Sequence, residues 1–283
     1  MPSTNYAYVN GHFVPEAEAT VSIFDRGFLY GHGVFETMRV YNGQIFRLYN
    51  HLQRLLAGLK VLHVGRQLTQ EDIRAPLLEL IQRNKIKGGM ARIYVTGGMN
   101  CWGVKRQTPG EPTLVAVTEE LPAQSEDLRA IISSIRLDSA SKLAGIKNAN
   151  RLLYVLAQDE AELRGFTDAV LLNGAGHVAE FTTSNVFIVK NGDLFTPPLS
   201  DGPLPGITRA AVLTLAAKLG ITAREISFGT EMFSEADEVF ATNSLREVKP
   251  VYEVDGAKFR KHHVTTRLQN AYRELVAEEL GQS

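Results

Sequence analysis

Four Asn-Gly dipeptides constrain the fold of this chain more than any other sequence feature. Each comes directly after a short run of apolar and β-branched residues, a pattern typical of a β-strand that ends in a hairpin turn. Asn and Gly tolerate the positive φ angles that such turns require. The turns lie at Asn10-Gly11, Asn42-Gly43, Asn173-Gly174 and Asn191-Gly192. The strands predicted around them cover residues 6–9, 34–41, 169–172, 178–189 and 194–196.

Helical periodicity separates these strands. Between residues 47 and 62 leucine recurs every three or four positions, which predicts an amphipathic helix. Further helices are predicted at 70–83, 150–163, 208–219 and 263–280, and further strands at 91–96, 114–118, 130–136 and 238–242. A polar stretch with a proline, residues 119–129, divides the pattern. We therefore predict an α+β fold with an N-terminal α/β domain (1–120), a linker (121–129) and a larger, β-rich C-terminal domain with flanking helices (130–283).

Composition excludes several functional classes. The net charge of the 283 residues is −1, which provides no electrostatic footprint for nucleic acid or an anionic membrane. The N-terminus lacks the basic and apolar regions of a secretory signal, and no apolar run approaches membrane-spanning length. The one cysteine, Cys101, cannot form an internal disulfide, which favours a reducing compartment. We expect a cytoplasmic enzyme or binding protein.

A lysine and a glutamate in the second half are the first candidates for chemistry. Lys147 follows the small or apolar residues 143–146 and precedes the predicted helix 150–163. The partial positive charge of a helix N-terminus lowers the pKa of a nearby amine, as a nucleophilic lysine requires. Glu180 lies in a predicted strand and, with a period of two, shares a face with Thr182 and Ser184. A solvated lysine and a solvated strand face remain the alternatives.

Three features could bind an anion. A helix begins near Ile207 and Thr208 after a loop rich in proline and glycine, and helix N-termini bind phosphate through their N–H groups. The alternative is that Thr208 is only an N-cap. Ser244 follows the end of a predicted strand. The helix 47–62 carries a basic stripe, which could equally be a solvated edge, formed by Arg47, His51 and Arg54.

Two strand arginines could hold a carboxylate group. Phe35, Thr37 and Arg39 share one strand face, and Arg92 shares another with Tyr94. Either arginine could also be a plain surface residue.

Other motifs are excluded by their context. Residues 174–179 fit the glycine pattern of dinucleotide-binding loops, but a predicted strand follows them where that motif needs a helix. The seven histidines do not lie at metal-ligand spacing, so no metal is expected.

Taken together, these residues resemble the class IV (fold type IV) pyridoxal 5′-phosphate (PLP)-dependent aminotransferase family, which includes branched-chain aminotransferases, D-amino-acid aminotransferases and aminodeoxychorismate lyase. The resemblance spans nearly the whole chain and implies the two-domain fold of that family. The matching blocks are SIFDRGFLYGHGVFETMRVYNG (22–43), FRLYNHLQRL (46–55), LAGIKNANR (143–151), EFTTSNVF (180–187), LPGITR (204–209) and ATNSLREVKPV (241–251).

The resemblance also implies a role for each candidate. Lys147 is expected to form a Schiff base with PLP and to move the proton at the substrate's Cα, while Glu180 keeps the pyridine nitrogen protonated. The phosphate contacts are expected from Arg54, Ile207, Thr208 and Ser244. The residues expected on the substrate side are Phe35, Arg39 and Arg92. Amino acid and 2-oxo acid substrates, ping-pong kinetics and a homodimer whose sites use both subunits are also implied.

The resemblance leaves open which member of the family this chain is. Branched-chain enzymes usually carry a tyrosine five residues after the lysine, where this chain has Leu152. D-amino-acid enzymes typically have a lysine in place of Arg39 and an arginine near Gly97. The first hypothesis is a transaminase that acts on a branched-chain-like or D-amino acid. The alternative is a 4-amino-4-deoxychorismate lyase, which releases pyruvate, and a third hypothesis is a non-catalytic scaffold of the same fold.

Overall fold

The computed structural model describes residues 5–65, 67–99, 103–105, 111–121 and 127–281. Within these ranges the chain forms two compact units. Unit 1 consists of the described residues of 1–122 together with 146–151, and unit 2 of those of 123–145 and 152–283. Cys101 lies outside the described residues.

Unit 1 is built on a six-stranded antiparallel sheet with the strand order β2-β1-β6-β5-β3-β4. The strands are β1 (Tyr6–Val9), β2 (His12–Pro15), β3 (Gly33–Tyr41), β4 (Gln44–Ile45), β5 (Gly88–Thr96) and β6 (Thr113–Glu119). Two of the predicted turns are confirmed: Asn10-Gly11 joins β1 to β2, and Asn42-Gly43 joins β3 to β4. All four residues have positive φ angles, between 46° and 94°, which explains why Asn and Gly are needed there.

Three helices complete unit 1: α1 (Arg26–Tyr30), α2 (Leu48–Leu62) and α3 (Gln70–Arg83). The start of α3 is fixed by a capping box, in which the Asp72 amide donates to the Thr69 hydroxyl and the Thr69 amide donates to the Asp72 carboxylate. The leucine face of α2 packs in one core with Val34, Met38 and Val40 of β3. Because strand side chains alternate, even-numbered residues of β3 point into this core and odd-numbered residues point to the other face.

Unit 2 is built on a nine-stranded mixed sheet. Its order is β12-β11-β10-β13-β14-β7-β8-β9, with β15 paired to β14. The strands are β7 (Leu128–Leu137), β8 (Asp168–Asn173), β9 (Val178–Phe181), β10 (Asn185–Lys190), β11 (Asp193–Thr196), β12 (Ala223–Glu225), β13 (Glu238–Asn243), β14 (Glu247–Val254) and β15 (Ala257–Lys258). The sequence does not predict β14, which contains Pro250, a residue that usually argues against a central strand.

The single strand predicted over 178–189 is wrong. The chain turns at residues 182–184, so that β9 pairs with β8 while β10 pairs with β11 and β13. The turn is held by the buried carboxylate of Asp168, which accepts hydrogen bonds from the amide and the hydroxyl of Thr182, 3.1 and 2.5 Å away. The β-branched composition of the segment hid this turn, because it is made by a contact with a distant residue.

The helices of unit 2 are α4 (Leu152–Leu163), α5 (Ile207–Lys218), α6 (Glu231–Ser234) and α7 (His263–Glu279). Ala157 and Ala161 of α4 pack against Ile131, Ala169 and Ala179 of the sheet. The predicted helices 208–219 and 263–280 are confirmed to within one residue, but α4 begins two residues later than predicted. In the described parts of the chain no helix is both long and apolar enough to cross a membrane.

Candidate active site

Lys147 lies in an extended segment of unit 1, beside the start of β3. The Phe35 amide donates to the Lys147 carbonyl (3.0 Å), the Ala149 amide donates to the Gly33 carbonyl (2.9 Å), and Asn148 forms an antiparallel bridge with Val34. The prediction that Lys147 lies at the N-terminus of a helix is therefore wrong. Its backbone is paired with a strand, and α4 begins only at Leu152.

The Lys147 amine lies over an aromatic ring. Its Nζ is 4.6 Å from the centre of the Phe35 ring, which stacks on Tyr94 with 5.4 Å between ring centres. The guanidinium of Arg92 lies 5.8 Å from the same Phe35 ring. Aromatic faces attract cations. The structure thus brings three predicted residues, Lys147, Phe35 and Arg92, to one place within unit 1.

The shared faces predicted for β3 and β5 are confirmed by the register of the two strands. Phe35 pairs with Tyr94, and Thr37 pairs with Arg92. Arg92 donates from Nε to the Thr37 hydroxyl (3.0 Å) and from a terminal nitrogen to the Tyr94 hydroxyl (3.3 Å). Arg39 lies farther along β3, with its guanidinium 4.9 Å from the Tyr41 ring. Arg92 is therefore fixed near the lysine, while Arg39 packs on a different aromatic ring.

Arg54 binds a glutamate that the sequence analysis missed. Glu36 of β3 is fully buried, and its two carboxylate oxygens accept hydrogen bonds from Arg54 Nε (2.7 Å) and a terminal nitrogen of Arg54 (2.8 Å). His51 Nδ1 lies 2.8 Å from the same carboxylate. The solvated edge considered for the basic stripe is therefore wrong for His51 and Arg54, which turn inward. A charged residue on the otherwise apolar core face of β3, between Val34 and Met38, is the sequence signal that could have found Glu36.

Burial and charge set the ionisation of this cluster. Burial alone raises the pKa of Glu36, but the positive charge of Arg54 and the hydrogen bonds from His51 and Arg54 outweigh it and lower this pKa to about 2. Burial lowers the pKa of His51 below its usual 6.5, and the nearby charges of Arg54 and Lys147 act in the same direction, against the effect of Glu36. At neutral pH Glu36 is therefore ionised, and neutral His51 with its proton on Nδ1 donates to it.

In unit 2, Glu180 is buried at the end of the sheet. Its carboxylate accepts a hydrogen bond from the Tyr154 hydroxyl at one oxygen and from the Leu204 amide at the other, both at 2.9 Å. Glu180, Thr182 and Ser184 do not share a continuous strand face, because β9 ends at Phe181. All three are at most 5% exposed, so the solvated strand face is also wrong.

The loop that donates to Glu180 leads directly into α5. Asn185 donates to the Leu204 carbonyl (2.8 Å), which fixes the loop three residues before the first residue of the helix. Gly206 is the N-cap, so the alternative that Thr208 is the N-cap is wrong. Thr208 is the second residue of α5 and is buried, with its hydroxyl 3.5 Å from the hydroxyl of Tyr272. Ile207 is the first helical residue.

Ser244 lies in a turn that is fixed to the same part of unit 2. The Asn243 side chain accepts hydrogen bonds from the amides of Leu245 (3.0 Å) and Arg246 (2.6 Å), which closes the turn around Ser244. It also donates to the Ser184 hydroxyl (3.0 Å). The chain that carries Glu180 therefore contacts both the loop before α5 and the turn of Ser244. Within the described ranges, no group of His, Cys, Asp and Glu side chains could hold a metal ion.

Comparisons with known proteins identify the family of the chain. Residues 33–254 match the family described as amino-transferase class IV. A Methanocaldococcus jannaschii protein provisionally named a branched-chain-amino-acid aminotransferase is 37% identical, with 95% of each chain covered. A D-alanine aminotransferase of Listeria monocytogenes is 32% identical (97% of each chain). The aminodeoxychorismate lyase of Bacillus subtilis is also 32% identical (95% of this chain and 94% of the relative).

Solved structures show the same fold. The branched-chain aminotransferase of the archaeon Thermoproteus uzoniensis, solved with norvaline, superposes with a TM-score of 0.91 at 30% identity, covering 99% of this chain and 96% of the other. A second branched-chain amino acid aminotransferase, from the organism abbreviated T.th. and solved with pyridoxamine 5′-phosphate, has a TM-score of 0.91 at 28% identity, with 100% and 96% covered. The predicted α+β, two-domain fold type IV architecture is confirmed.

Proposed function

Because the chain belongs to the class IV aminotransferase family, we propose that it uses PLP to move an amino group between an amino acid and a 2-oxo acid. The observation that carries this proposal is the family match over residues 33–254, a range that includes Lys147, Glu180 and Arg54. The amino group is received in one half-reaction and given up in the second, so we expect ping-pong kinetics.

The start of α5 supports the binding of a phosphate dianion. The first amides of this 12-residue helix, at Ile207 and Thr208, lie at the positive end of the helix dipole. A Cβ added to Gly206 would lie 2.0 Å from Asn185 Oδ1, and Asn185 is itself buried and bonded to Leu204, so only glycine lets the start of α5 lie this close to Asn185. We assign the phosphate to Ile207, Thr208 and Ser244, with Arg54 as the cation.

The remaining roles go to Lys147 and Glu180. When bound, PLP supplies an electron-withdrawing ring that stabilises negative charge at the substrate's Cα. Glu180 accepts a hydrogen bond from the protonated ring nitrogen, because an ionised carboxylate is an acceptor only. Lys147 binds the cofactor through Nζ and, when released, takes the Cα proton and later returns it.

A chemical trap tests the central assignment. Borohydride reduction of the holoprotein should leave the cofactor on the peptide that contains Lys147. Lys147→Ala should remove the absorbance band of the covalently bound cofactor and lower the rate about a thousandfold or more, because it removes a group that acts throughout the reaction. Lys142→Ala, at an exposed lysine nearby in sequence, is the control and should change neither. A label on another lysine would contradict the assignment.

We assign the substrate carboxylate to Arg92, with Phe35 beside it and Arg39 as the second arginine. The short distances that join Arg92, Phe35 and Lys147 support this choice. Arg92→Ala should raise KM for the amino acid about ten- to a hundredfold, since a charge-assisted hydrogen bond contributes roughly 1.5–3 kcal/mol, while the absorbance of the bound cofactor stays unchanged. Arg39→Ala should have the smaller effect. Unchanged KM in both variants would exclude both arginines.

A homodimer in the cytoplasm is part of the same proposal. On α4, four large apolar side chains are between 44% and 61% exposed: Leu152, Leu153, Val155 and Leu156. A surface of this kind is typical of a subunit interface. The single cysteine supports a reducing compartment. Sedimentation velocity should give a particle of twice 31.2 kDa, and a monomer at micromolar concentration would exclude the dimer.

A lyase that releases pyruvate from aminodeoxychorismate is the second candidate, supported by the Bacillus subtilis relative. The two activities separate in a half-reaction assay with a panel of amino acids, which includes branched-chain L-amino acids and D-alanine. Conversion of the cofactor to its amine form by several of them supports transamination. Pyruvate release from aminodeoxychorismate without any such conversion would support the lyase. A purified protein that takes up no PLP would support the non-catalytic scaffold.

A further inference from the structure

A tyrosine on α4 contacts the carboxylate that the proposed function places at the cofactor nitrogen. The Tyr154 hydroxyl donates to Glu180 Oε1 over 2.9 Å, and the Leu204 amide donates to Oε2 over the same distance. Tyr154, Glu180 and Leu204 all lie in unit 2, and the Tyr154 ring packs against the buried apolar cluster that includes Ala157, Ala161 and Ala179. The hydroxyl is therefore held by the packing of its own ring.

The next turn of α4 strengthens this contact. Gln158, four residues after Tyr154 and on the same face of the helix, has its side-chain oxygen 3.1 Å from the Thr182 hydroxyl and donates to the Thr167 carbonyl (3.2 Å). Tyr154 and Gln158 thus bind the chain at both sides of Phe181. This pair fixes where β9 ends relative to α4, and so fixes the backbone that carries Glu180.

Fixing the backbone of Glu180 does not by itself fix the orientation of its carboxylate. The last torsion of a glutamate side chain is broad, so the plane of the carboxylate is free to rotate unless its oxygens are bonded. Two donors from two different elements, one to each oxygen, define that plane. The plane in turn decides how a third donor, such as a ring N–H, can approach.

We propose that Tyr154 is the positioning residue of Glu180: its hydroxyl, together with the Leu204 amide, sets the carboxylate plane in which the cofactor's ring nitrogen is bound. This inference rests on the proposed function, which assigns Glu180 to that nitrogen. Branched-chain enzymes usually carry a tyrosine where this chain has Leu152, but Tyr154 does not replace that tyrosine. Residues two apart on a helix face different directions, and Leu152 is 61% exposed.

The test uses two ligands that differ only at the ring nitrogen. The full-length chain without cofactor is titrated with PLP and with 1-deaza-PLP, in which a C–H replaces that nitrogen. Tyr154→Phe removes the hydroxyl and keeps the ring in its apolar cluster. We expect the variant to bind PLP about fivefold more weakly, the size of one neutral hydrogen bond, and to bind 1-deaza-PLP with unchanged affinity.

Two results would overturn the proposal. One is an equal loss of affinity for both ligands, which is what a purely structural role of Tyr154 predicts. The other is an unchanged affinity for PLP. Since the ratio of the two affinities is measured on one protein, a partly unfolded preparation does not mimic the expected result.

Controls separate this inference from the function on which it rests. Tyr6→Phe, at an exposed tyrosine of β1, should leave both affinities unchanged. In the half-reaction, Tyr154→Phe should lower kcat and leave KM for the amino acid unchanged, because the hydroxyl contacts no substrate group in this proposal. If the unaltered chain binds neither PLP nor its analogue, the proposed function itself fails, and this outcome is distinct from a failure of the role of Tyr154.

Discussion

Two buried glutamates, one in each unit, show two ways in which a folded chain can keep a carboxylate away from water. Glu36 in unit 1 is bonded to Arg54 and His51, one a permanent cation and the other a titratable ring. Glu180 in unit 2 is bonded to a hydroxyl and a backbone amide, both neutral. Arg54 balances the charge of Glu36, while the two donors to Glu180, one at each oxygen, set the plane of its carboxylate. We infer that Glu36 serves the fold and the position of Arg54, and that Glu180 serves the chemistry.

The pKa of Glu36 shows how much its ionised carboxylate stabilises the folded state. A shift from 4.5 to about 2 corresponds to roughly 3 kcal/mol in favour of the folded state when the carboxylate is ionised. Because the folded-state pKa is the lower one, this stabilisation is present above pH 4.5 and is lost as the pH falls toward 2.

Removing the charge of Glu36 should have the largest effect on stability. Glu36→Gln leaves the largely buried Arg54 without its balancing charge, which costs about 3–5 kcal/mol when one partner of a buried pair is lost. We expect the midpoint of urea unfolding to fall accordingly in the cofactor-free protein. The affinity for PLP should fall as well, because Arg54 loses its orientation.

A surface pair provides the matched control for this prediction. Glu79 and Arg83 form an ion pair on α3 in which both side chains are nearly half exposed. Glu79→Gln should cost at most about 1 kcal/mol, since solvent screens such pairs. If Glu36→Gln and Glu79→Gln lower the free energy of unfolding by the same amount, then the burial of Glu36 does not strengthen its ion pair. The structural role assigned to Glu36 would then be wrong.

The same substitution at the second glutamate should affect rate more than stability. Glu180→Gln keeps a side chain of the same shape but removes the negative charge that favours a protonated ring nitrogen. We expect kcat to fall about a hundredfold, the usual size of losing one electrostatic contact to the reacting system. Unfolding in urea should shift less than in Glu36→Gln. A variant that unfolds as easily as Glu36→Gln but keeps its rate would reverse the two roles.

Local patterns predicted much of the fold. The Asn-Gly turns and the helices α2 and α3 depend on neighbouring residues, and the structure places α3 at the predicted residues 70–83, whereas the sequence did not predict the short helix α1. The wrong predictions concern contacts between distant parts of the chain. The turn at 182–184 is made by Asp168, and the segment around Lys147 is extended because it pairs with β3. Neither partner can be identified from local periodicity.

The candidate site shows the same division. Lys147, Glu180 and the start of α5 could be selected from the sequence because each lies in a distinctive block. Their partners could not be selected in this way: Glu36 and Tyr154 lie 18 and 26 residues from the side chains they bind. Glu36 could have been suspected, as a charge among apolar neighbours on β3. Tyr154 gave no such signal, since a tyrosine on an amphipathic helix is ordinary.

The smallest predicted effect concerns His51, the histidine beside Glu36, and it tests whether His51 is neutral in the folded chain at neutral pH. The folded-state pKa of His51 is below 6.5, so the unfolded chain binds a proton there before the folded chain does. Stability must therefore fall as the pH drops below 6.5, by up to about 1 kcal/mol per pH unit. His51→Asn retains a donor near the Nδ1 position and cannot titrate, so the difference in unfolding free energy between the unaltered chain and this variant should shrink between about pH 7 and pH 5.5.

The matched control is His262 in unit 2, whose pKa is also lowered by burial. His262→Asn should reduce the pH dependence of stability and leave the affinity for PLP unchanged. His51→Asn should alter both the pH dependence and the affinity, because His51 contacts Glu36, the partner of Arg54. A difference that instead grows as the pH falls would mean that the folded state holds the His51 proton more tightly than the unfolded chain does, and Glu36 would then balance two cations.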